Sequence, residues 1–452
     1  MQQPKRIYIL GIGGTFMGGI ARIAQQAGYV VGGQDAGIYP PMSDQLKNVG
    51  VSYDEGYSVE ALVAFAPDLV LVGNALGRGH PVVEAVLAKG YAYASAPQWL
   101  HDTILKDKKV IAVAGTHGKT STSSMVTWIL ECCGLNPSFL IGGVPENFGV
   151  TSRLTESPYF VIEADEYDTA FFDKRSKFMH YAPFVFVVNN LEFDHADIFE
   201  SLADIIKQFH HGVRLIPPQG TLIAPDTENV NAVVQRGLWS PWIKTECTAG
   251  WQIRPLDPTS HTFEVLFQGK AQAQGSWAVY GVHNLQNALH AVLATLQVGV
   301  DLKMAVAALA TFKPVKRRLE YKGTFQGAPY YDDFAHHPTA IQMSLAALRA
   351  KVGERAPIMA VVDLRSNTMK AGHHQASLPG ALRDAQHIVF YSEKALPWDV
   401  EAMLAGCAQP TTILYDAQSL FQYLQTHIQS DWQVLFMSNG ALGGIFSQLA
   451  SA

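Results

Sequence analysis

Two patterns alternate along the chain: short unbroken apolar runs that end in glycine-rich or acidic turns, and amphipathic stretches that follow them. The runs 7–10, 69–72, 110–114, 159–162, 184–188, 358–362, 388–391 and 434–437 are predicted strands. Side chains along a strand point alternately to its two faces, so unbroken apolarity is what a strand covered on both sides requires. Strands of this kind alternating with helical stretches predict parallel sheets and an α/β fold. The segment 245–276 breaks the pattern, being rich in threonine, glutamine and aromatic residues without a helical period, and predicts hairpins at a sheet edge.

The polar run at 106–109 precedes a fresh strand, and an alanine-rich helical stretch stops at Phe312-Lys313-Pro314. These breaks divide the chain into 1–107, 108–313 and 314–452, in keeping with roughly 150 residues per domain. Lys plus Arg number 33 against 39 Asp plus Glu, a net charge of −6. No basic footprint for nucleic acid exists, and anionic ligands must be held by local groups. The four cysteines lack CxxC spacing and support neither a disulfide framework nor a cysteine zinc site, which fits a reducing compartment. The N-terminus carries no signal-type apolar segment, and no apolar run reaches the ~18 residues of a membrane span. The expectation is a cytoplasmic protein without a membrane partner.

The most informative motif is Gly115-Thr116-His117-Gly118-Lys119-Thr120-Ser121, which follows one predicted strand and opens a helix over 121–130. It predicts a phosphate-binding loop, although Val113 stands where the usual first glycine would be. Glycines let backbone N–H groups turn toward oxyanions, Lys119 can neutralise β- and γ-phosphate oxygens, and Thr120 can ligate Mg²⁺. Two acidic strand ends, Glu163-Ala164-Asp165-Glu166 and Glu192-Phe193-Asp194-His195, are candidates for the metal side of the same rim, because ligands of open parallel sheets gather beyond the carboxyl ends of strands. Gly11-Ile12-Gly13-Gly14-Thr15 with Asp35 predicts a second, nucleotide-diphosphate turn; Phe16 replaces the third glycine of a dinucleotide fingerprint. Lys316-Arg317-Arg318 and Asp332-Asp333 put cations and paired acids just inside the third domain. The histidine doublets 210/211, 336/337 and 373/374 lack the spacing of a metal-binding pair and are not read as zinc sites. The residues alone leave open a kinase, a ligase, a nucleotide-binding module without chemistry, and a nicotinamide-dependent oxidoreductase using the Gly11 turn.

Taken in order, the Gly11, Gly115, Glu163 and Glu192 motifs, His283-Asn284-Leu285-Gln286-Asn287-Ala288, Arg318-Leu319-Glu320 and Asp332-Asp333-Phe334-Ala335-His336-His337-Pro338 resemble the Mur ligase family, the ATP-dependent amide-forming enzymes of peptidoglycan synthesis. The resemblance implies a Rossmann-like N-terminal domain for a UDP-sugar, a P-loop ATPase central domain, and a Rossmann-like C-terminal domain for the incoming amine. It implies that Gly13, Gly14, Thr15, Asp35, Asn74 and Arg78 contact the UDP portion, and that Gly115 to Ser121, His283, Asn287, Arg318 and Asp332 contact ATP. Mg²⁺ would be held by Thr120, Glu163 and His195; Lys119, Glu163, His195 and Arg318 would carry the catalysis. Four segments, at 13–19, 39–43, 167–177 and 365–370, narrow the resemblance to the branch that joins the tripeptide L-Ala-γ-D-Glu-meso-diaminopimelate to UDP-N-acetylmuramate in murein recycling, through an acyl phosphate. Arg365, Ser366, Asn367 and Lys370 would then hold the tripeptide. The alternative is the branch that adds L-alanine.

Overall fold

The structure, a computed structural model, describes residues 5–451; the leader reading rests in part on residues 1–4, which lie outside the described residues. Each run predicted as a strand is one, and together they build three sheets. The first is five-stranded and wholly parallel: β1 (Arg6–Leu10), β2 (Val30–Asp35), β3 (Ser52–Glu55), β4 (Leu69–Val72) and β5 (Tyr93–Ser95), in the order β3-β2-β1-β4-β5. Order changes direction at β1, so a crevice opens beyond the carboxyl ends of β1, β2 and β4.

The central sheet has ten strands. β6 (Lys109–Ala114), β7 (Ser138–Leu140), β8 (Ser152–Arg153) and β9 (Tyr159–Glu163) precede a separate antiparallel hairpin of β10 (Asp168–Ala170) and β11 (Asp173–Ser176). β12 (Val185–Val188), β13 (Thr221–Pro225), β14 (Trp242–Thr245), β15 (Trp251–Pro255), β16 (Thr262–Phe267) and β17 (Lys270–Ser276) complete it, in the order β17-β16-β15-β14-β13-β12-β6-β9-β7-β8. The last three strands form the antiparallel edge expected of 245–276. β12 is buried along its whole length and β6 from its second residue on, as their apolar runs require.

The third sheet contains β18 (Glu320–Phe325), β19 (Ala328–Asp333), β20 (Ile358–Asp363), β21 (His387–Tyr391), β22 (Thr411–Leu414) and β23 (Gln433–Met437), ordered β18-β19-β23-β20-β21-β22. Only the β18-β19 hairpin is antiparallel. No helix among the described residues is long and apolar enough to cross a membrane.

The three domains are not equally attached. One apolar cluster runs from Ile20, Ala24 and Trp99 of the first domain into Leu140, Phe160 and Phe186 of the second. Polar contacts stitch the same seam: Arg22 Nε donates to Ser152 O at 2.9 Å, and Thr151 Oγ1 to Gln45 Oε1 at 2.9 Å. The third domain keeps its own two clusters, one on each face of its sheet. Burial of apolar area is the main adhesive between domains, so the first two form the firmer unit.

Inside the central domain, His290 on the helix Val282–Leu296 is 1% exposed, with Nδ1 2.9 Å from Asn189 Oδ1 and Nε2 2.8 Å from Thr245 Oγ1. A neutral ring satisfies both: Nδ1–H donates to the amide oxygen, and Nε2 accepts from the threonine. Burial pushes its pKa down to about 4, and does the same to His283 and His336. The folded values lie below that of the unfolded chain, ~6.5, so protons favour unfolding. Stability is complete above pH ~6.5 and is lost as pH falls toward 4. Thermal midpoints measured in steps over that interval should decline, and His290→Asn should flatten the decline by up to about 1.4 kcal/mol per pH unit; an unaltered slope would show that this ring is not buried neutral.

Candidate active site

The register of the central sheet builds the site. β6 lies between β9 and β12, with Val113 beside Glu163 and Ala114 beside Val188, so the turns that leave the three strands meet at one rim. The turn after β6 runs into the helix Lys119–Cys132. At its start Gly118 has φ +79, a left-handed backbone that glycine adopts without penalty, and a Cβ there would strike Asn287 Oδ1. The His117 N–H is donated to Asn190 Oδ1 at 2.8 Å, and Asn189 Nδ2 donates to Thr122 Oγ1 at 3.0 Å, so the turn after β12 braces the loop.

Lys119 Nζ reaches Gly115 O at 2.7 Å and Glu166 Oε2 at 3.1 Å. Glu166 is 3% exposed, and its other oxygen faces His195 Nε2 at 3.0 Å. Burial opposes the charge on each member of this chain, yet the neighbours win. Glu166, Asp165 and Glu163 raise the Lys119 pKa; Lys119 and His195 lower that of Glu166; and Glu166, by hydrogen bond and charge, raises that of His195. Thr120 Oγ1 donates to Glu163 Oε1 at 3.0 Å, and Gly142 N to Glu163 Oε2 at 2.8 Å. Burial outweighs the nearby Lys119 and pushes the Glu163 carboxyl up. A hydroxyl and a buried carboxylate at the mouth of a phosphate loop are hard oxygen donors of the kind Mg²⁺ takes, and a cation there would oppose the rise that burial causes.

Lys119, Thr120, Glu163, Asp165 and His195 line one cleft of about 780 Å³ between the central and C-terminal domains. From the helix Val282–Leu296 come His283 and Asn287; from the C-terminal domain come Arg318, Asp333, Arg365, Ser366, Asn367 and Lys370. Arg318 has no carboxylate partner among the described residues and lies 5.3 Å from the centre of the Phe334 ring. Both domains therefore present cations to the cleft, Lys119 from one and Arg318, Arg365 and Lys370 from the other.

Comparison with known proteins agrees with this arrangement. Residues 6–108 match the catalytic domain of the Mur ligase family, 113–295 the Mur ligase middle domain, and 317–440 the Mur ligase glutamate ligase domain. The UDP-N-acetylmuramate--L-alanyl-gamma-D-glutamyl-meso-2,6-diaminoheptandioate ligase of Escherichia coli (strain K12) is 49% identical over 98% of this chain and 97% of its own length. The chain belongs to the Mur ligase family. The crystal structure of a murein peptide ligase from Psychrobacter arcticus 273-4 superposes with a TM-score of 0.78 at 40% identity, covering 99% of this chain and 98% of that one. A UDP-N-acetylmuramate--L-alanine ligase of Arthrobacter sp. (strain FB24) is 35% identical over 77% of this chain and 73% of its own length.

Within this Mur ligase several residues stand where the sequence did not put them. Thr120 and Glu163 meet; His195 lines the same cleft, with its Nε2 held by Glu166 and its ligand atoms grouped with those of Asp165 and Glu166. Asp332, expected at the ribose, is 4% exposed and receives Arg317 Nε at 3.0 Å; its neighbour Asp333 lines the cleft. His117 lines the cleft with Lys119 and Thr120, but its N–H is taken by Asn190, and its ring Nε2 lies 3.8 Å from Glu192. Asn367 Nδ2 donates to Asp197 at 3.0 Å, and Ser366 caps the short helix Asn367–Lys370 through Met369 N, which leaves Arg365 and Lys370 as the free tripeptide candidates. On the first domain's rim, Gly13 N donates to Asp35 Oδ2 at 2.8 Å, so the supposed ribose acid also pins the glycine turn. Gly14 and Asn74 are exposed beside it, Thr15 opens the first helix, and Arg78 pairs with Glu84 at 2.9 Å.

Sequence reasoning missed Glu166, Asn190 and Thr368. The signal for Glu166 was present, since it closes the quoted acidic motif, but only the register of β6 against β9 reveals that it faces Lys119. Thr368 Oγ1 donates to Asp194 Oδ1 at 2.9 Å across the domain boundary, a contact no local pattern encodes.

Proposed function

We propose that this Mur ligase joins the tripeptide L-Ala-γ-D-Glu-meso-diaminopimelate to UDP-N-acetylmuramate at the expense of ATP, in murein recycling. The observation that carries the reading is the cleft that faces Lys119 and Thr120 of the phosphate loop with Arg318, Arg365 and Lys370 of the C-terminal domain. The near full-length likeness to proteins named for this reaction supports the substrate choice over L-alanine. We assign 1–107 to the sugar nucleotide, 108–313 to ATP and 314–452 to the acceptor.

A carboxylate does not condense with an amine in water because its oxygen is a poor leaving group. The lactyl carboxylate of UDP-N-acetylmuramate therefore attacks the γ-phosphorus, ADP leaves, and an acyl phosphate forms. Lys119 and Arg318 approach from opposite domains and offset the charge that develops on the equatorial phosphoryl oxygens. Thr120 and Glu163 would hold Mg²⁺, which would supply further neutralisation of phosphate charge. His283, kept neutral by burial, presents an uncharged ring on the nucleotide side with Asn287. The L-alanyl amine of the tripeptide then attacks the acyl carbon, phosphate leaves with the C–O bonding pair, and the amine proton passes to solvent or to a nearby base. Arg365 and Lys370 complement the acceptor's carboxylates.

Phosphate release tests the reading, with UDP-N-acetylmuramate, ATP and tripeptide each omitted in turn. Release should require all three, and free L-alanine should not replace the tripeptide. Turnover that proceeds as well with free L-alanine would assign the chain to the other branch; ATP binding without release in any mixture would leave it a binding module.

A further inference from the structure

Beyond the nucleotide cleft, three residues distant in sequence bring metal-ligating atoms together: His117 from the phosphate loop, Glu192 from the turn after β12, and His337 from the C-terminal domain, all within 4.8 Å of one another. His117 Nε2 lies 3.8 Å and His337 Nδ1 3.9 Å from Glu192 Oε2. The His117 and His337 ring centres are 4.6 Å apart, and His374 follows with its ring 4.4 Å from that of His337. Two of the three doublets that sequence spacing set aside, 336/337 and 373/374, thus place one ring each in this cluster.

The chemistry of the set is that of a cation site. His117 Nε2 and His374 Nε2 are buried without any hydrogen-bond partner, an arrangement that costs about 1–3 kcal/mol per group unless something else satisfies it. His337 Nδ1 accepts only a long 3.3 Å bond from Thr339 N. Burial and the neighbouring histidines push His337 down to about 3, burial lowers His374, and the contacts of Glu192 with His117 and Thr339 offset its burial and hold it at about 2. At neutral pH His337 and His374 are therefore neutral imidazoles and Glu192 is a carboxylate. The carboxylate also has an outer partner, Thr339 Oγ1, which donates to Glu192 Oε2 at 2.7 Å in the way second-sphere groups orient a ligand. In a tetrahedral site with bonds of about 2.0–2.1 Å the donor atoms stand about 3.3–3.4 Å apart, so the pairs at 3.8 and 3.9 Å need draw in by only about half an ångström.

We propose that His117, Glu192 and His337 form a site for a zinc-class divalent cation that bridges the central and C-terminal domains, with the His374 ring packed behind His337. Imidazole nitrogen selects this class over Mg²⁺, so the site is distinct in chemistry from the oxygen donors Thr120 and Glu163. Because the ligands sit on both sides of the cleft, an ion held there clasps the closed arrangement.

The test is a titration of the full chain with Co²⁺ in the absence of nucleotide, followed by visible ligand-field absorption, with Zn²⁺ affinity taken from competition against a chromophoric chelator. One equivalent of Co²⁺ should give a tetrahedral spectrum that Zn²⁺ displaces. His337→Asn and Glu192→Gln should each weaken binding by at least about tenfold, while Glu166→Gln should leave it unchanged. The proposal is overturned if both variants keep wild-type affinity, if the spectrum is octahedral, or if Glu166→Gln alone abolishes it, which would place the ion on Asp165, Glu166 and His195. Should His337→Asn fail to fold, Glu192→Gln decides the matter.

Discussion

Lys119→Ala should lower ligase turnover by at least about 10²–10³-fold, the usual cost of removing one preorganised donor from a developing oxyanion. The ammonium is fixed by Gly115 O and Glu166, at the end of a loop braced by Asn189 and Asn190, so its loss is not made good by rearrangement. The same change has a second consequence. Glu166 is 3% exposed, and without Lys119 its buried charge keeps only His195; breaking a buried pair from one side costs about 3–5 kcal/mol. The two effects separate in the double variant Lys119→Ala/Glu166→Gln, which should recover most of the lost thermal stability and none of the turnover. Single-turnover phosphate release and thermal midpoints on the three proteins check both halves. Near-normal ligation by Lys119→Ala would remove the phosphate loop from the mechanism.

What could be read in the sequence was whatever is local. The strands were legible because burial on both faces demands unbroken apolar runs, and the phosphate loop because its strand, glycine and Lys-Thr elements are contiguous. The convergence of the Gly115, Glu163 and Glu192 motifs followed from a general rule about strand ends, and the β9-β6-β12 order gives that rule its geometry. Roles that depend on choosing between adjacent residues were not legible. Arg317 and Arg318 look alike in sequence, yet one is bound to Asp332 and to the carbonyls of Ser438 and Gly440, and the other faces the cleft. Asp332 and Asp333 divide in the same way, since successive residues of β19 point to opposite faces. Contacts across domains, such as Thr339 with Glu192 and Thr368 with Asp194, are set by the docking of whole sheets. The histidine cluster is of this kind, its members spread from 117 to 374.

The second large effect concerns closure. The first two domains share an apolar core, whereas the C-terminal domain meets the turn after β12 through polar bonds: Thr368 to Asp194, Asn367 to Asp197 and Thr339 to Glu192. Such an interface lets the C-terminal domain swing, with catalysis awaiting the moment when Arg318 and Lys119 face each other. Thr368 is the central fastener, because Asp194 Oδ1 accepts both its hydroxyl at 2.9 Å and the His195 N–H at 2.7 Å. His195 itself has φ +58, a left-handed backbone that persists only where surrounding contacts enforce it. Thr368→Val keeps the shape and deletes the donor to a buried carboxylate, a loss of about 1.5–3 kcal/mol. If that bond exists only in the closed form, kcat/KM should fall by about 10–100-fold. ATP affinity measured by calorimetry without the other substrates should stay within about twofold, since the hydrogen bonds that brace the phosphate loop come from Asn189 and Asn190 of the central domain. Asn367→Ala should matter less, because Asp197 is exposed and such a contact is worth at most about 1 kcal/mol. Solution scattering gives the independent reading: the wild type should compact when nucleotide and both other substrates are bound, and Thr368→Val should compact less. An equal loss of ATP affinity in Thr368→Val would mean that the substitution damages the loop itself, and that closure is fastened elsewhere.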